Sequence, residues 1–258
     1  MVETRAALSL PSSGLTQAEL DDARSDREGA AWYRDTLGPA DPTVEGAPIH
    51  HAPSATPISS GAFDIIVEFE VSGPALYEAR YRGAIWPGNE SGVTVGIGYD
   101  VGYASEDELL GDWGDVLSRP MLNALLGVRG ITGVAAKAAA ASLAGQINIP
   151  FDSAITIHRG KVLPRWIGLV EGALPNTGLL SGNSLGALVS LTYNRGASFS
   201  TPGERFTEMR SIKAHMAARA LAQVPTDLRD MKRIWPDTPG LQSRREREAQ
   251  LFEQGLAT

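Results

Sequence analysis

Ser91-Gly92-Val93-Thr94-Val95-Gly96-Ile97-Gly98-Tyr99-Asp100 is the stretch on which the reading of the fold turns. It alternates with period two. Val93, Val95, Ile97 and Tyr99 share one parity; Thr94, Gly96, Gly98 and Asp100 share the other. Two readings are open. In one straight strand, at roughly 3.3 Å per residue, Thr94 and Asp100 lie about 20 Å apart. Thr94 is then a half-exposed strand residue and Asp100 a turn residue. If the chain instead turns at Gly96-Ile97-Gly98, the two become cross-strand neighbours, about 5 Å apart at Cα. Glycine suits such a turn because it tolerates positive φ without a Cβ clash. Only a hairpin centred on Ile97 lets a threonine hydroxyl and an aspartate carboxylate act on the same water.

Upstream, Ala62 to Phe69 is apolar and helical, and the chain breaks at Ser72-Gly73-Pro74. Two glutamates close this helix. Glu68 falls one turn after Asp64, on a polar face. Glu70 falls three and four residues after Val67 and Ile66 and seven after Phe63, on the apolar edge at the helix end. A carboxyl set against apolar groups is raised in pKa, and glycoside hydrolysis needs an acid still protonated near neutral pH. The competing reading of Glu70 is an ordinary solvated glutamate at a helix end.

Downstream come helical patterns over Glu106 to Val116, Met121 to Leu126, Val134 to Gln146, Phe151 to Leu174, Ser184 to Asn194, Gly203 to Leu221, Leu228 to Ile234 and Leu241 to Leu256. One small sheet plus many helices predicts an α+β fold in which the sheet forms one lip of a cleft. No internal repeat is present.

Residues 1–60 read differently. They are rich in Pro, Gly, Ser, Asp and Ala, with Trp32 and Tyr33 as exceptions. Thr16-Gln17-Ala18-Glu19 has the form of a capping box and predicts a short helix through about Tyr33. Pro39 to Ser60 holds five prolines and no apolar period, as a linker does. The expected organisation is therefore a flexible or partly helical tail and linker over 1–60 and one domain over 61–258. His50 and His51 read as a solvated loop pair, because no further ligand stands at a metal-binding spacing.

The 258 residues carry a net charge of −7, of which −5 falls in residues 1–60, leaving the body near neutral. The one basic run is Arg244, Arg245 and Arg247, which argues against nucleic-acid binding and reads as a solvated helix face. No apolar run approaches the length of a membrane span. Cysteine is absent, so disulfides and thiolate metal sites are excluded. The N-terminus has no signal-peptide pattern, so synthesis in the cytoplasm is expected.

Phe69-Glu70, then Tyr77, then the Gly-rich stretch from Ser91 to Asp100, resembles the glutamate helix and hairpin of phage-type lysozymes. Asp after Gly-Tyr is similar to the pesticin-like branch, whose motif positions fall here on Glu70, Thr94 and Asp100 as the catalytic set. Ala187-Leu188-Val189-Ser190-Leu191-Thr192-Tyr193-Asn194-Arg195-Gly196 resembles that superfamily's cleft helix. Gly240-Leu241-Gln242-Ser243-Arg244-Arg245, with Glu248-Ala249 and Leu251-Phe252, resembles its C-terminal helix. The four pieces stand in family order over roughly 61–256. The resemblance implies a lysozyme-like fold, a small hairpin lobe and a larger helical lobe around a cleft, and a monomer that needs no cofactor. It implies hydrolysis of the β-1,4 bond between N-acetylmuramic acid and N-acetylglucosamine in peptidoglycan. Tyr77, Ser91, Asn194 and Arg244 are the substrate-binding candidates. Asn194 also reads as a helix-end cap, Arg244 as a partner of Glu70, and Tyr99 as core. His158 and His215 show no partner signal, and Trp113, Trp166 and Trp235 read as core.

The chain departs from the commonest phage lysozymes where they carry an aspartate two residues after the tyrosine of their first strand; here that position is Ala79, with Glu78 expected on the other face. The insert from Arg80 to Glu90, with Trp86-Pro87-Gly88, is also longer, and suggests a role in sugar subsites or in binding a peptide stem. The expected mechanism is a single displacement with inversion. Glu70 protonates the leaving oxygen while Asp100 and Thr94 activate a water, the carboxyls being about 6.5–9.5 Å apart. Two rivals stand beside it: a lytic transglycosylase, which needs Glu70 but not Asp100, and a non-catalytic wall-binding module of a phage tail or secretion device. Endolysin, tail lysin, bacteriocin and secreted effector are all compatible. Each acts on the wall after holin- or machine-mediated delivery, with residues 1–60 as a candidate docking segment.

Overall fold

The computed structural model describes residues 14–25, 52–88 and 90–257. His50, His51, Trp32 and Tyr33, with Pro39, Pro42 and Pro48, lie outside the described residues. The architecture is α+β: mostly helical, with one two-stranded antiparallel sheet among the described residues.

Helix α1, Gln17–Ser25, begins with the expected capping box. The Thr16 hydroxyl accepts from the Glu19 amide (3.3 Å), and the Glu19 carboxylate accepts from the Thr16 amide (2.7 Å). Leu20 and Ala23 on α1 are buried in the common core. The segment before α2 (Ser60–Val71) is also attached to the body. The Ser54 amide donates to the Pro164 carbonyl (2.9 Å), the Ser59 amide donates to the Gly182 carbonyl (3.1 Å), and the Ser59 side chain caps α2. Packing therefore begins before residue 61.

Helix α3, Pro74–Arg80, follows after a sharp break in which Ser72 adopts φ 59° and Gly73 φ 113°. This corrects the strand expected at Tyr77: Ala79 and Glu78 lie on a helix, so the two-residue spacing of the family's strand does not apply here. The hairpin comes next, β1 (Thr94–Val95) and β2 (Tyr99–Asp100).

The remaining helices are α4 (Glu106–Trp113), α5 (Arg119–Leu126), α6 (Gly133–Ser142), α7 (Phe151–Ile157), α8 (Leu163–Ala173), α9 (Gly182–Arg195), α10 (Thr207–Ala217), α11 (Val224–Asp230) and α12 (Pro239–Leu256). A π turn, His158–Val162, joins α7 to α8 just before Pro164, which has no amide N–H to continue the helical ladder.

Helix α9 is the central helix of the packing. Every residue from Ser184 to Arg195 is buried, as expected of a helix covered on all sides, and α2, α8 and α12 pack against it. Gly186 permits the α2 contact: a Cβ there would fall 2.2 Å from the Ala62 Cβ. Trp113 and Trp235 are buried, and Trp166 packs half-buried against the Tyr193 ring.

Candidate active site

The hairpin pairs Thr94 with Asp100 and Val95 with Tyr99. This is the turn centred on Ile97, with Gly96 at φ 60° and Gly98 at φ 67°. Ile97 is buried, and its carbonyl accepts from the Tyr193 hydroxyl at 3.0 Å, which pins the loop to α9. The Thr94 amide and carbonyl both bond Ile85, while the Val101 amide bonds the Val93 carbonyl. Thr94 and Asp100 are therefore a non-hydrogen-bonded cross-strand pair, the geometry in which side chains come closest, with Cα atoms about 4.5 Å apart.

Within that pair the two side chains have different surroundings. Asp100 Oδ2 accepts from the Gly92 amide and Oδ1 from the Gly102 amide, each at 2.9 Å. Gly92 is needed for this, since a Cβ there would fall 2.3 Å from Asp100 Oδ1. The Thr94 hydroxyl donates to the Gly92 carbonyl at 3.3 Å.

Glu70 ends α2 on the opposite wall. It is 7% exposed, and Arg244 Nη1 lies 3.3 Å from its Oε1. Arg244 is itself buried: Nε is 3.3 Å from both the Ser190 hydroxyl and Glu248 Oε1, Nη2 donates to the Ser190 carbonyl (2.9 Å), and the guanidinium sits over the Phe69 ring. Glu248 is fully buried, accepts from Ser190 Oγ (2.6 Å) and pairs with Arg245 (2.8 Å). One ionic network thus ties α2, α9 and α12 together behind Glu70. A buried charge that loses its partner is costly, so each member holds the others in place.

A cavity with about 30 Å³ of water-reachable space lies between the two walls. Glu70, Val71, Tyr81, Ile85, Pro87, Thr94, Gly96, Gly98 and Arg24 line it. Glu70 and Thr94 therefore share one space. Asp100 is not part of that lining, its carboxylate being turned to the two glycine amides.

The remaining expectations divide. Tyr77 is fully buried; its hydroxyl donates to the Ile149 carbonyl (3.0 Å) and its ring packs edge-on to Phe151, so it has no surface to offer a sugar. Burial also pushes its phenol well above the ordinary range. Ser91 is buried and its carbonyl accepts from Trp86 Nε1 (3.1 Å) and the Gly133 amide (3.0 Å), which makes it a strut of the loop rather than an open sugar contact. Asn194 is buried one residue before the end of α9, with no hydrogen-bond partner for Oδ1 among the described residues.

Arg244 supports Glu70 from behind instead of facing a glycan. The basic run is likewise not a solvated face: Arg244 and Arg245 are buried, and Arg247 pairs with Glu68 at 2.6 Å. Glu68 is accordingly buried and not on a polar face. His215 has a partner, Asp227, at 2.7 Å, and buried His158 lies between the Phe63 and Tyr193 rings.

Sequence reasoning missed Arg24, which reaches the cavity from α1. Nothing in the local sequence ties it to Glu70, because the connection exists only through tertiary packing. Among the described residues no cluster of His, Asp or Glu is placed to hold a metal ion, and no helix is long and apolar enough to cross a membrane. Models of known protein families and curated proteins gave no match to this chain.

Proposed function

We propose that the chain is a peptidoglycan-cleaving muramidase with a lysozyme-like fold, in which Glu70 is the general acid and Thr94 and Asp100 handle the attacking water. The observation that carries this reading is the shared cavity: a buried glutamate at a helix end and the threonine of a tight Gly-rich hairpin line one water-sized space. Glu70 gives up a proton to the glycosidic oxygen. Thr94, whose hydroxyl is fixed toward the Gly92 carbonyl, offers its oxygen to a water on the other face of the sugar. Asp100, opposite Thr94, takes up the proton that this water loses as it attacks, and its negative charge supports the oxocarbenium-like state.

The turn of the Asp100 carboxylate toward two backbone amides favours one alternative, a single-carboxylate lytic transglycosylase. In that reaction Glu70 acts alone and the product is a 1,6-anhydro sugar.

Release of soluble muropeptides from purified sacculi, with reducing and 1,6-anhydro ends distinguished by mass spectrometry, tests both in wild type, Glu70→Gln and Asp100→Asn. Loss in both variants is expected of the two-carboxylate hydrolase. Loss in Glu70→Gln alone, with anhydro products, selects the transglycosylase. Binding to sacculi with no release by wild type leaves a wall-binding module.

A further inference from the structure

Helix α1 lies outside the stretch that carries the family resemblance, yet it forms part of the candidate site. Arg24 at its C-terminal end lines the cavity beside Glu70. Its guanidinium is almost fully engaged by the chain itself. Nη1 donates to Asp21 Oδ1 (2.6 Å) and to the Tyr81 hydroxyl (3.2 Å); Nη2 donates to the Glu68 carbonyl (3.4 Å) and to the Ser72 hydroxyl. The same group stacks over the Tyr81 ring at 5.6 Å. Four of its five N–H bonds are thus engaged: two at the break between α2 and α3, by Glu68 and Ser72, one by Tyr81 just past α3, and one by Asp21 on α1 itself. A guanidinium so occupied is a fastener rather than a free anion receptor.

The packing behind it agrees. Leu20 and Ala23 are buried in the common core, and Gly240 of α12 has no Cβ where one would fall 2.3 Å from the Glu19 carbonyl. Asp21 also pairs with Arg80 of α3 at 3.2 Å. The space left against Glu70 is about 30 Å³, room for a water but far below the several hundred Å³ of a pocket that takes an organic ligand.

We propose that α1 is a self-capping segment: docked, it closes the site, and Arg24 is the latch that holds it there. A glycan strand would bind the undocked form and draw the population toward it, since ligand shifts a two-state equilibrium only through its preference for one state. The identity of that ligand rests on the muramidase reading; the capping does not.

The test uses the full chain as wild type, Arg24→Ala and Leu20→Asp, the second variant weakening the dock without touching the polar latch. Carboxyl groups are labelled with a carbodiimide and an amine and read by peptide mass spectrometry. Labelling of Glu70 is expected to rise about tenfold in both variants, as local opening exposes it, while fully buried Glu248 stays unlabelled. Unchanged Glu70 labelling in both variants overturns the proposal, and so does labelling of Glu248 in step with Glu70, which marks general loosening. Release of soluble muropeptides from sacculi is measured alongside and is expected to rise with the labelling. Labelling that rises while activity in Arg24→Ala falls below an active wild type overturns the cap and makes Arg24 part of the working site. Labelling that rises with no activity in any protein supports the cap and removes the muramidase reading.

Discussion

Arg244 Nη1 meets Glu70 Oε1 at 3.3 Å across 174 residues of chain, with both side chains almost wholly buried. The pair also involves Glu248, which faces the same guanidinium. Arg244→Ala therefore removes the buried cation beside Glu70 and leaves Glu248 to Arg245 and Ser190. It is expected to cost about 3–5 kcal/mol, the range for breaking a buried pair by removing one partner, read as a lower urea midpoint. A loss below about 1 kcal/mol, the scale of an exposed pair, would mean the network is solvated in solution.

Glu70→Gln keeps the side-chain shape and one oxygen to accept from Arg244. Stability is expected to change by no more than about 1–2 kcal/mol, while turnover falls about 10²–10⁴-fold, the contribution of a general acid. Equal losses in the folded fraction and in activity would reduce Glu70 to a structural residue.

Asp100 braces the hairpin through the Gly92 and Gly102 amides. Asp100→Ala leaves both donors without an acceptor, at about 1–3 kcal/mol each. Asp100→Asn retains one oxygen and is expected to lose roughly half as much. If the carboxylate also serves the water, the Asn variant loses turnover well beyond its loss of folded protein, a comparison made by urea titration and sacculus digestion on one preparation. Full activity in Asp100→Asn would leave the residue as a brace alone.

The hairpin was legible as one of two readings: alternation gave a strand, the glycines between Thr94 and Asp100 allowed a turn, and only the assumed chemistry of that pair chose between them. The apolar position of Glu70 was legible from helical spacing. Tyr77 was not, because a short Pro-initiated helix and a strand give similar local signals over seven residues. The burial of Arg244, Arg245 and Glu68 was hidden for another reason. Charged residues are read as solvated unless their partners are known; Glu70 and Ser190 lie more than 50 residues from Arg244, as Glu68 does from Arg247, and the close spacing of Glu248 to Arg244 and Arg245 is equally that of a solvated face. Arg24 carries no local signal at all.

Gly186 marks the closest approach of α9 and α2. Adding a methyl group sets it 2.2 Å from the Ala62 Cβ, between two helices whose facing residues are buried. The helices must separate, so Gly186→Ala is expected to destabilise by about 1–3 kcal/mol as overpacking, even though alanine favours helix. Because α2 carries Glu70, activity should fall more than stability does, and Ala62→Gly in the same chain should restore part of both. A Gly186→Ala protein as stable as wild type would show that the interface has slack.

Asp64 gives the pH prediction. Its carboxyl is held above the usual range, first by burial; Arg159 and Arg247 act against this and Glu68 adds to it. Its Oδ1 has no hydrogen-bond partner among the described residues. The folded form therefore holds the proton more tightly than the unfolded chain, and stability falls as pH rises from the ordinary aspartate value through the raised one. At neutral pH the charge is a net penalty. Asp64→Asn removes it and is expected to raise the urea midpoint near pH 7. The gain should shrink as pH is lowered through the raised value and disappear below the ordinary aspartate value of about 3.9. A gain that is the same at neutral and acid pH would assign the effect to packing or helix propensity, and no gain at neutral pH would mean that Arg159 and Arg247 already balance the cost of burial.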